Sequence, residues 1–460
     1  MRPFCTVVTF GWLVWSSSLF AADSATAPRP IPLTRPELKD LLEDLKQRTP
    51  RIPLPELSAE EKQKLGNRAG DYEYRLRYHY MPPGDGRTSQ FSRGADSNMS
   101  LDYPFKTMMF WIVSRMNNCQ YCLGHQEIKL SVAGLDEDRI AALDGDWSEF
   151  SAKEQAAFGF ARKLTYEPHL LADADIEKLR EHFSDLQILE IVLSVAGNNS
   201  INRWKEGVGV PQSQNGRGFL RRGGGESTKE RIMPIETFLT PTADKYKESI
   251  SKIAPLHRDE STGRLTSAAI SRRPPLESRA EVERQLELCR TRQSRLPVLS
   301  EAQAQSVMAD AWSSKSSPQW LRLMANFPCE GASRVRSLVA AEESGDLDAR
   351  LKAQVSWIIA RQDRAWYATA EARRRLKKLD ISDERIYALD GSWEEFSPKE
   401  RALFLVARKL AASPILLTDQ EVTAAVKDAS PREAVQLISY VTGRAYFNRV
   451  TEAAGLPADE

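Results

Sequence analysis

The sequence predicts an all-α protein built from two tandem copies of one helical bundle. Residues 139–164 and 385–410 align without a gap at an offset of 246, and 18 of the 26 positions are identical. Apolar residues recur at helical spacing in both copies, and neither copy shows a clear alternating strand pattern. A chain of 460 residues is also too long for one ordinary core, which agrees with two bundles.

The N-terminus has the composition of a secretory signal peptide. Residues 1–21 combine a basic start with an apolar stretch and end in small residues suited to cleavage. An uncleaved anchor is the alternative, but the apolar stretch is short for a membrane span. We therefore expect an exported protein, periplasmic or secreted, with no transmembrane segment in the mature chain.

Four further segments follow from composition and from the repeat. Residues 22–36 are rich in Pro, Ala, Ser and Thr, and we expect them to be disordered. Residues 37–211 form the first copy, and residues 276–460 form the second. Residues 212–275 contain many glycines and charges, and we expect an extended linker over the surface.

The helices of each copy are marked by apolar runs. Leucines at helical spacing predict a helix over Glu37–Gln47. An apolar run from Phe105 to Arg115 predicts the next helix, and its partner in the second copy is Leu351 to Arg361. The cysteine segment that follows leads into a helix that ends near Gly134.

Capping residues mark where later helices begin. Asp136 can cap a short helix, and Ser151 with Glu154 forms a capping box that returns in the second copy as Ser397 with Glu400. In the second copy, Pro398 takes the first helical position, which favours a helix start. The sequence predicts two more helices in the first copy, over Asp173–Phe183 and Leu186–Trp204.

Composition excludes some classes of function. A net charge of +1 provides no overall field for nucleic acid or for anionic membranes. Arg221-Arg222 followed by three glycines lacks the strand and helix that a phosphate-binding loop needs. After loss of Cys5 with the signal peptide, four cysteines remain, too few for a disulfide scaffold. The sequence does not decide whether Cys289 and Cys329 form a disulfide or remain buried free thiols.

The first copy carries a dithiol that the second copy lacks. The segment Cys119-Gln-Tyr-Cys122-Leu-Gly-His125 corresponds to a segment with Ala365 and Ala368 in place of the cysteines. A helix N-terminus favours a thiolate, and a thiolate attacks peroxides or disulfides. The pair is then a redox centre, a static structural disulfide or part of a metal site. His125 is a proton donor or acceptor, or an ordinary partly buried histidine.

These residues also carry a family resemblance. An apolar helix, then Asn-x-Cys-x-Tyr-Cys, a nearby His, Ala-Gly-Leu and a short acidic helix resemble the alkyl hydroperoxidase D / carboxymuconolactone decarboxylase family. The resemblance covers roughly residues 72–211 and again 318–457. It implies one compact helical bundle per copy and a tendency to form homo-oligomers. It also implies a hydroperoxide substrate, a thiol reductant and no cofactor.

The resemblance assigns roles to the site residues. It implies that Cys122 is the peroxidatic cysteine and Cys119 the resolving one, with His125 close by. Two positions depart from the family pattern, because Gln126 stands where the family has its His and Thr107 where it has its Glu. We therefore expect a thiol-dependent hydroperoxidase. The alternatives are a structural or interaction protein with a static disulfide and a thiol–disulfide oxidoreductase acting on exported proteins.

Overall fold

The described part of the chain is all-α, as the sequence predicts. The computed structural model describes residues 26–82, 96–212, 219–222, 229–232, 237–258, 265–266, 273 and 275–459. The predicted signal peptide, residues 1–21, lies outside the described residues. No helix in the described ranges is long and apolar enough to cross a membrane.

The structure describes nine α-helices in the first half, and the sequence predicts all of them except the second and the third. They are α1 Arg35–Asp44, α2 Ala59–Leu65, α3 Tyr72–Tyr80, α4 Tyr103–Asn117, α5 Gln120–Val132, α6 Glu137–Ala141, α7 Ala152–Tyr166, α8 Asp173–Arg180 and α9 Asp185–Val208. Single 3-10 turns extend α1, α2 and α6 and precede α8.

The described parts of the linker contain one short helix and two antiparallel strand pairs. The helix is α10, Asp244–Lys247. The strand pairs are β1 Phe219–Arg222 with β2 Lys229–Ile232, and β3 His257–Arg258 with β4 Leu265–Thr266.

The second half contains the remaining helices. They are α11 Arg279–Thr291, α12 Glu301–Met308, α13 Gln319–Met324, α14 Pro328–Glu343, α15 Ala349–Asp363, α16 Trp366–Lys378, α17 Asp383–Tyr387, α18 Pro398–Ala411, α19 Asp419–Asp428 and α20 Pro431–Ala453.

Six helices of the two halves correspond in sequence. Helices α15 to α20 each begin 246 residues after α4 to α9, in the same order. The C-cap between the first two helices of each set is also the same, because Asn118 and Arg364 both adopt the left-handed conformation, with φ of 54° and 53°. This agreement extends the repeat well beyond its most similar stretch.

The capping residues act as predicted. Asp136 accepts a hydrogen bond from the backbone N–H of Arg139 at 2.8 Å and begins α6. Ser151 and Glu154 form a complete capping box at α7, and the equivalent box at α18 has Pro in its first turn. Each box satisfies backbone donors that the first turn of a helix leaves unpaired.

The two halves interlock. The core that contains Trp111 and Leu193 of the first half is completed by Leu321, Phe327 and Val335 of the second half. All five side chains are fully buried. Because these residues lie on α13, α14 and the turn between them, helices of the second half close the core of the first.

The first half also contributes side chains to the core of the second half. The core around Trp357 of α15 includes Leu76 of α3 and Val208 of α9. The C-terminus of α3 is tied to the second half by Arg432, which donates to His79 O at 2.7 Å. Between these exchanged parts, α9 packs along α20 over most of its length. The two copies therefore form one body rather than two separate bundles.

The structure corrects the prediction that residues 22–36 are disordered, for the described part from residue 26. Ile31 is fully buried and packs against Leu256 of the linker. Thr34 caps α1 through a complete capping box with Glu37. The composition of this segment indicated disorder because its burial depends on contacts with distant residues, which local sequence does not reveal.

A pair of glycine substitutions tests the packing between the halves. A Cβ atom on Gly207 of α9 would lie 2.5 Å from Cγ2 of the buried Ile438 on α20. We expect Gly207→Ala to lower the free energy of unfolding by about 1–3 kcal/mol, because overpacking outweighs the gain in helix propensity. Gly159→Ala in α7 is the control, since its Cβ would meet nothing within 4 Å. It should stabilise the protein by up to about 1 kcal/mol in the same urea titration. Equal stability of the two variants would contradict the packing.

Candidate functional site

The two cysteines of the dithiol lie together at the start of α5. Cys119 is the N-cap of this helix and Cys122 lies in its first turn. Their exposed fractions are 0% and 2%, and they pack against Phe110 and the partly buried Ile201. Both are free thiols in contact through a hydrogen bond. A pair in this arrangement can close to a disulfide with little movement of the backbone.

The environment of Cys119 disfavours a thiolate. Burial raises the pKa of the Cys119 thiol well above its ordinary value, and the hydrogen bond with the Cys122 thiol adds to the effect. A backbone hydrogen bond from Cys122 opposes this rise, but it does not offset the loss of water around the sulfur.

Charged groups of α3 and α9 stand beside the dithiol. The Lys205 ammonium lies 4.4 Å from the centre of the Tyr121 ring and forms an ion pair with Glu73. Burial opposes the charge on Lys205, but Tyr121, Glu73 and Cys122 outweigh it and raise the pKa of the ammonium. Glu73 also accepts a hydrogen bond from Trp204 Nε1 at 2.6 Å. A fixed positive charge thus lies close to Cys122.

His125 approaches the site through Tyr121. The two rings stack with centroids 5.8 Å apart and planes inclined by 13°. His125 is partly buried, one turn after Cys122 on α5. The structure therefore places this predicted site residue beside the dithiol, next to the tyrosine that Lys205 contacts.

The two departures from the family pattern are neutral side chains bound to backbone. Gln126 is 1% exposed and donates to Cys122 O at 3.3 Å. Thr107 is 3% exposed and donates to Tyr103 O at 2.8 Å. In these hydrogen bonds neither side chain is directed to a sulfur atom, so neither replaces the acid or base that the family has there.

The linker closes over the dithiol helix. Gln212 Nε2 donates to Tyr121 O at 2.9 Å, and Phe238 is buried at 6% exposure. Both lie against Gly124, where a Cβ atom would stand 2.2 Å from Gln212 Nε2. Our sequence interpretation did not identify Gln212 or Phe238. The signal available was Gly124 itself, because the second copy has Ala370 at this position.

A second charged group near Cys119 was also missed. The buried Glu206 forms ion pairs with Arg48 at 3.0 Å and with Arg29 at 3.9 Å. Burial alone would raise the pKa of Glu206, but these arginines outweigh it and lower the pKa. Glu206 is in turn an electrostatic neighbour of Cys119 and contributes to the raised pKa of that thiol.

In the second copy, alanines stand at the two cysteine positions, and an ion pair forms at the position of His125. Glu371 stands at the position of His125 and pairs with Arg444 at 2.6 Å. Arg375 donates to the hydroxyl of Tyr440 at 3.1 Å and pairs with Glu342. Ala365 and Ala368 are fully buried. This region is held by charge and packing, and it carries no thiol.

The remaining cysteines do not pair. Cys289 is buried, and its thiol contacts Leu456 O at 3.7 Å. Burial raises the pKa of this thiol to about 11. Cys329 is exposed, and both are free, so the disulfide alternative is wrong for this pair. The described residues contain no group of three or more His, Cys, Asp or Glu side chains arranged to hold a metal ion.

The ion pair of Glu73 should make the stability of the protein depend on pH. Burial alone would raise the pKa of Glu73, but Lys205 and Arg77 outweigh it and lower the pKa to about 2. The stabilisation is then present above the ordinary value of 4.5 and is lost as the pH falls from about 4.5 towards about 2. We expect Glu73→Gln to cost about 2–3 kcal/mol at pH 7 and less at pH 3. Urea unfolding at both values checks this, with the exposed Glu177→Gln as control. A cost that does not change with pH would contradict it.

Comparisons with known proteins leave the family of this chain open. No family model and no curated protein matches the sequence. One matching solved structure is that of a substituted form of the debrominase Bmp8 in complex with 2,3,4-tribromopyrrole. It is 13% identical, covers 41% of this chain and 94% of that chain, and has a TM-score of 0.30. A likeness this weak carries no argument about function.

Proposed function

We propose that the protein is a thiol-dependent hydroperoxidase of alkyl hydroperoxidase D-like type, with Cys119 and Cys122 as its redox pair. The observation that carries the proposal is the contact between the two thiols at the start of α5, in the one copy that keeps them. The family resemblance of the surrounding sequence supports the same chemistry. Export of the mature chain is part of the proposal, and so is assembly into a homo-oligomer.

The reaction proceeds in one oxidising step, one condensation and one reducing step. The Cys122 thiolate attacks one oxygen of the hydroperoxide, the O–O bond breaks, and the alkoxide leaves with a proton as the alcohol. Cys122 is then a sulfenic acid. The Cys119 thiol attacks its sulfur, a disulfide forms and water leaves. A thiol reductant supplies two electrons and two protons and restores both thiols.

The neighbours of each sulfur support this division of roles. Cys122 lies within the first helical turn and beside the Lys205 ammonium, which both favour negative charge. Cys119 has a raised pKa and keeps its proton until a sulfenic acid is present. His125, which stacks on Tyr121, is the nearest candidate to give a proton to the leaving alkoxide.

Burial of the pair favours a small oxidant over a protein disulfide. A thiol–disulfide oxidoreductase needs a sulfur that another protein chain can reach, yet Cys119 and Cys122 are nearly inaccessible. A small hydroperoxide needs only a narrow entry. Movement of the Gln212 side chain, which covers Gly124, would open one without disturbing the helices.

A structural role is the second candidate, and the same burial favours it. Cys119 and Cys122 pack with Phe110 as a small apolar cluster. In this case the pair would serve packing or form a static disulfide in an oxidising compartment. Substitution would then lower stability without removing any reaction with peroxide.

Reaction of the reduced protein with cumene hydroperoxide tests the proposal. We expect stopped-flow thiol loss at least about tenfold faster than for free cysteine, because the helix N-terminus and the Lys205 ammonium favour negative charge at the attacking sulfur. Cys122→Ser should abolish the fast phase. Cys119→Ser should keep it and leave a trappable sulfenic acid, because the resolving thiol is gone.

Cys329→Ser is the matched control, because it removes an exposed thiol distant in sequence from the pair. It should leave the fast phase unchanged. Thiol loss no faster than that of free cysteine, in a protein whose stability falls on Cys122→Ser, would sink the peroxidase and favour the structural role.

A further inference from the structure

A cleft opens between the two halves, away from the dithiol. Its volume is about 230 Å³. One wall is the segment 166–170 of the first half, and the other is formed by the ends of α15 and α18 with Arg449 of α20.

The floor of the cleft carries more positive than negative charge. Arg203 and Arg449 are equivalent residues of the two copies, and both are at least 99% buried. Arg449 pairs with Asp363 at 3.2 Å, but the first copy has Asn117 at the equivalent position. Among the described residues, the hydrogen-bond acceptors of Arg203 are neutral oxygens, such as Ala411 O at 2.8 Å. The carboxylate of Asp363 is therefore the acidic partner for two buried guanidinium groups, those of Arg203 and Arg449.

The rim of the cleft also has more guanidinium groups than carboxylates. Arg273, Arg364 and Arg361 all pair with Glu277, and Arg361 also pairs with Asp390 at 3.0 Å. Arg364 contacts His169 Nε2 at 2.9 Å. Burial, together with Arg364 and Arg273, lowers the pKa of His169 to about 4. Among the charged residues that line the cleft, Arg273, Arg364 and Arg449 outnumber Glu167 and Asp363, so the lining carries a net positive charge that an anion would balance.

A buried donor also points to a ligand. Within the described part of the chain, Nε of Arg449 is buried without a hydrogen-bond partner, and this residue lines the cleft. An unpaired buried donor and an uncompensated buried charge are both costly. A guanidinium group presents a planar fork of N–H donors that fits an oxyanion.

We propose that this cleft binds a small organic carboxylate, with its oxyanion at Arg364 and Arg449 and its apolar part against Tyr166, Pro168 and Leu170. The apolar wall favours an organic acid over inorganic phosphate. The volume is below the range of about 300–1,000 Å³ that is typical of drug-sized ligands, so the acid is small. The site is separate from the dithiol, and the inference does not rest on the proposed peroxidase.

Calorimetric titration of the full chain with benzoate tests the inference. We expect saturable binding at one site, tighter than binding of inorganic phosphate at the same ionic strength. Arg364→Asn should weaken it about tenfold or more, because a charge-assisted hydrogen bond is lost. This variant preserves the backbone, since Asn118 occupies the equivalent left-handed position in the first copy. Leu170→Trp should block the cleft from its exposed rim.

Two matched variants control for general effects. Arg290→Gln removes an exposed charge, and Leu379→Trp enlarges an exposed leucine that does not line the cleft. Both should bind benzoate as the unsubstituted chain does. Absence of saturable binding would overturn the inference. Binding that survives Arg364→Asn and Leu170→Trp would also overturn it, and so would tighter binding of phosphate than of benzoate.

Discussion

The packing of α9 against α20 is the interaction on which the rest of the structure depends. These two helices are equivalent parts of the repeat, and their contact brings Arg203 and Arg449 close together. Burial and the neighbouring Arg449 lower the pKa of Arg203, and Ser413 accepts a hydrogen bond from each arginine. Such a contact is stable only if both halves are in place. The interlocking cores have the same consequence, since each copy buries apolar residues of the other.

The two copies differ in the region of the dithiol. The first keeps Cys119 and Cys122 under a cover provided by the linker, whereas the second fills the equivalent region with the ion pair of Glu371 and Arg444. Loss of thiols in the second copy removes no packing, because alanine fits the same buried positions. On our proposal, the first copy performs the chemistry, and the second supplies a partner surface and one wall of a separate anion site.

Local signals in the sequence were sufficient for most helices of the first copy and for the position of the dithiol at a helix start. The caps at Asp136 and Ser151 lie where the sequence placed them, because a cap depends on residues within one turn. Burial of Ile31 and Pro32, the exchange of helices between cores and the cover by Gln212 depend on contacts between distant parts of the chain. Asn117 shows the limit clearly. Its change to Asp363 in the second copy is visible in the sequence, but the sequence does not reveal that its side chain bonds to Asn199 and Asn202 in the interface between the halves.

Peptide mapping by mass spectrometry, after one equivalent of hydroperoxide is added to the reduced protein, tests the central claim most directly. That claim is that a buried pair reacts with a small oxidant in preference to an exposed thiol. The account predicts that the peptide containing Cys119 and Cys122 loses two hydrogen atoms and becomes an internal disulfide, while Cys329 stays reduced. Oxidation of the exposed Cys329 with the pair left as thiols would contradict it.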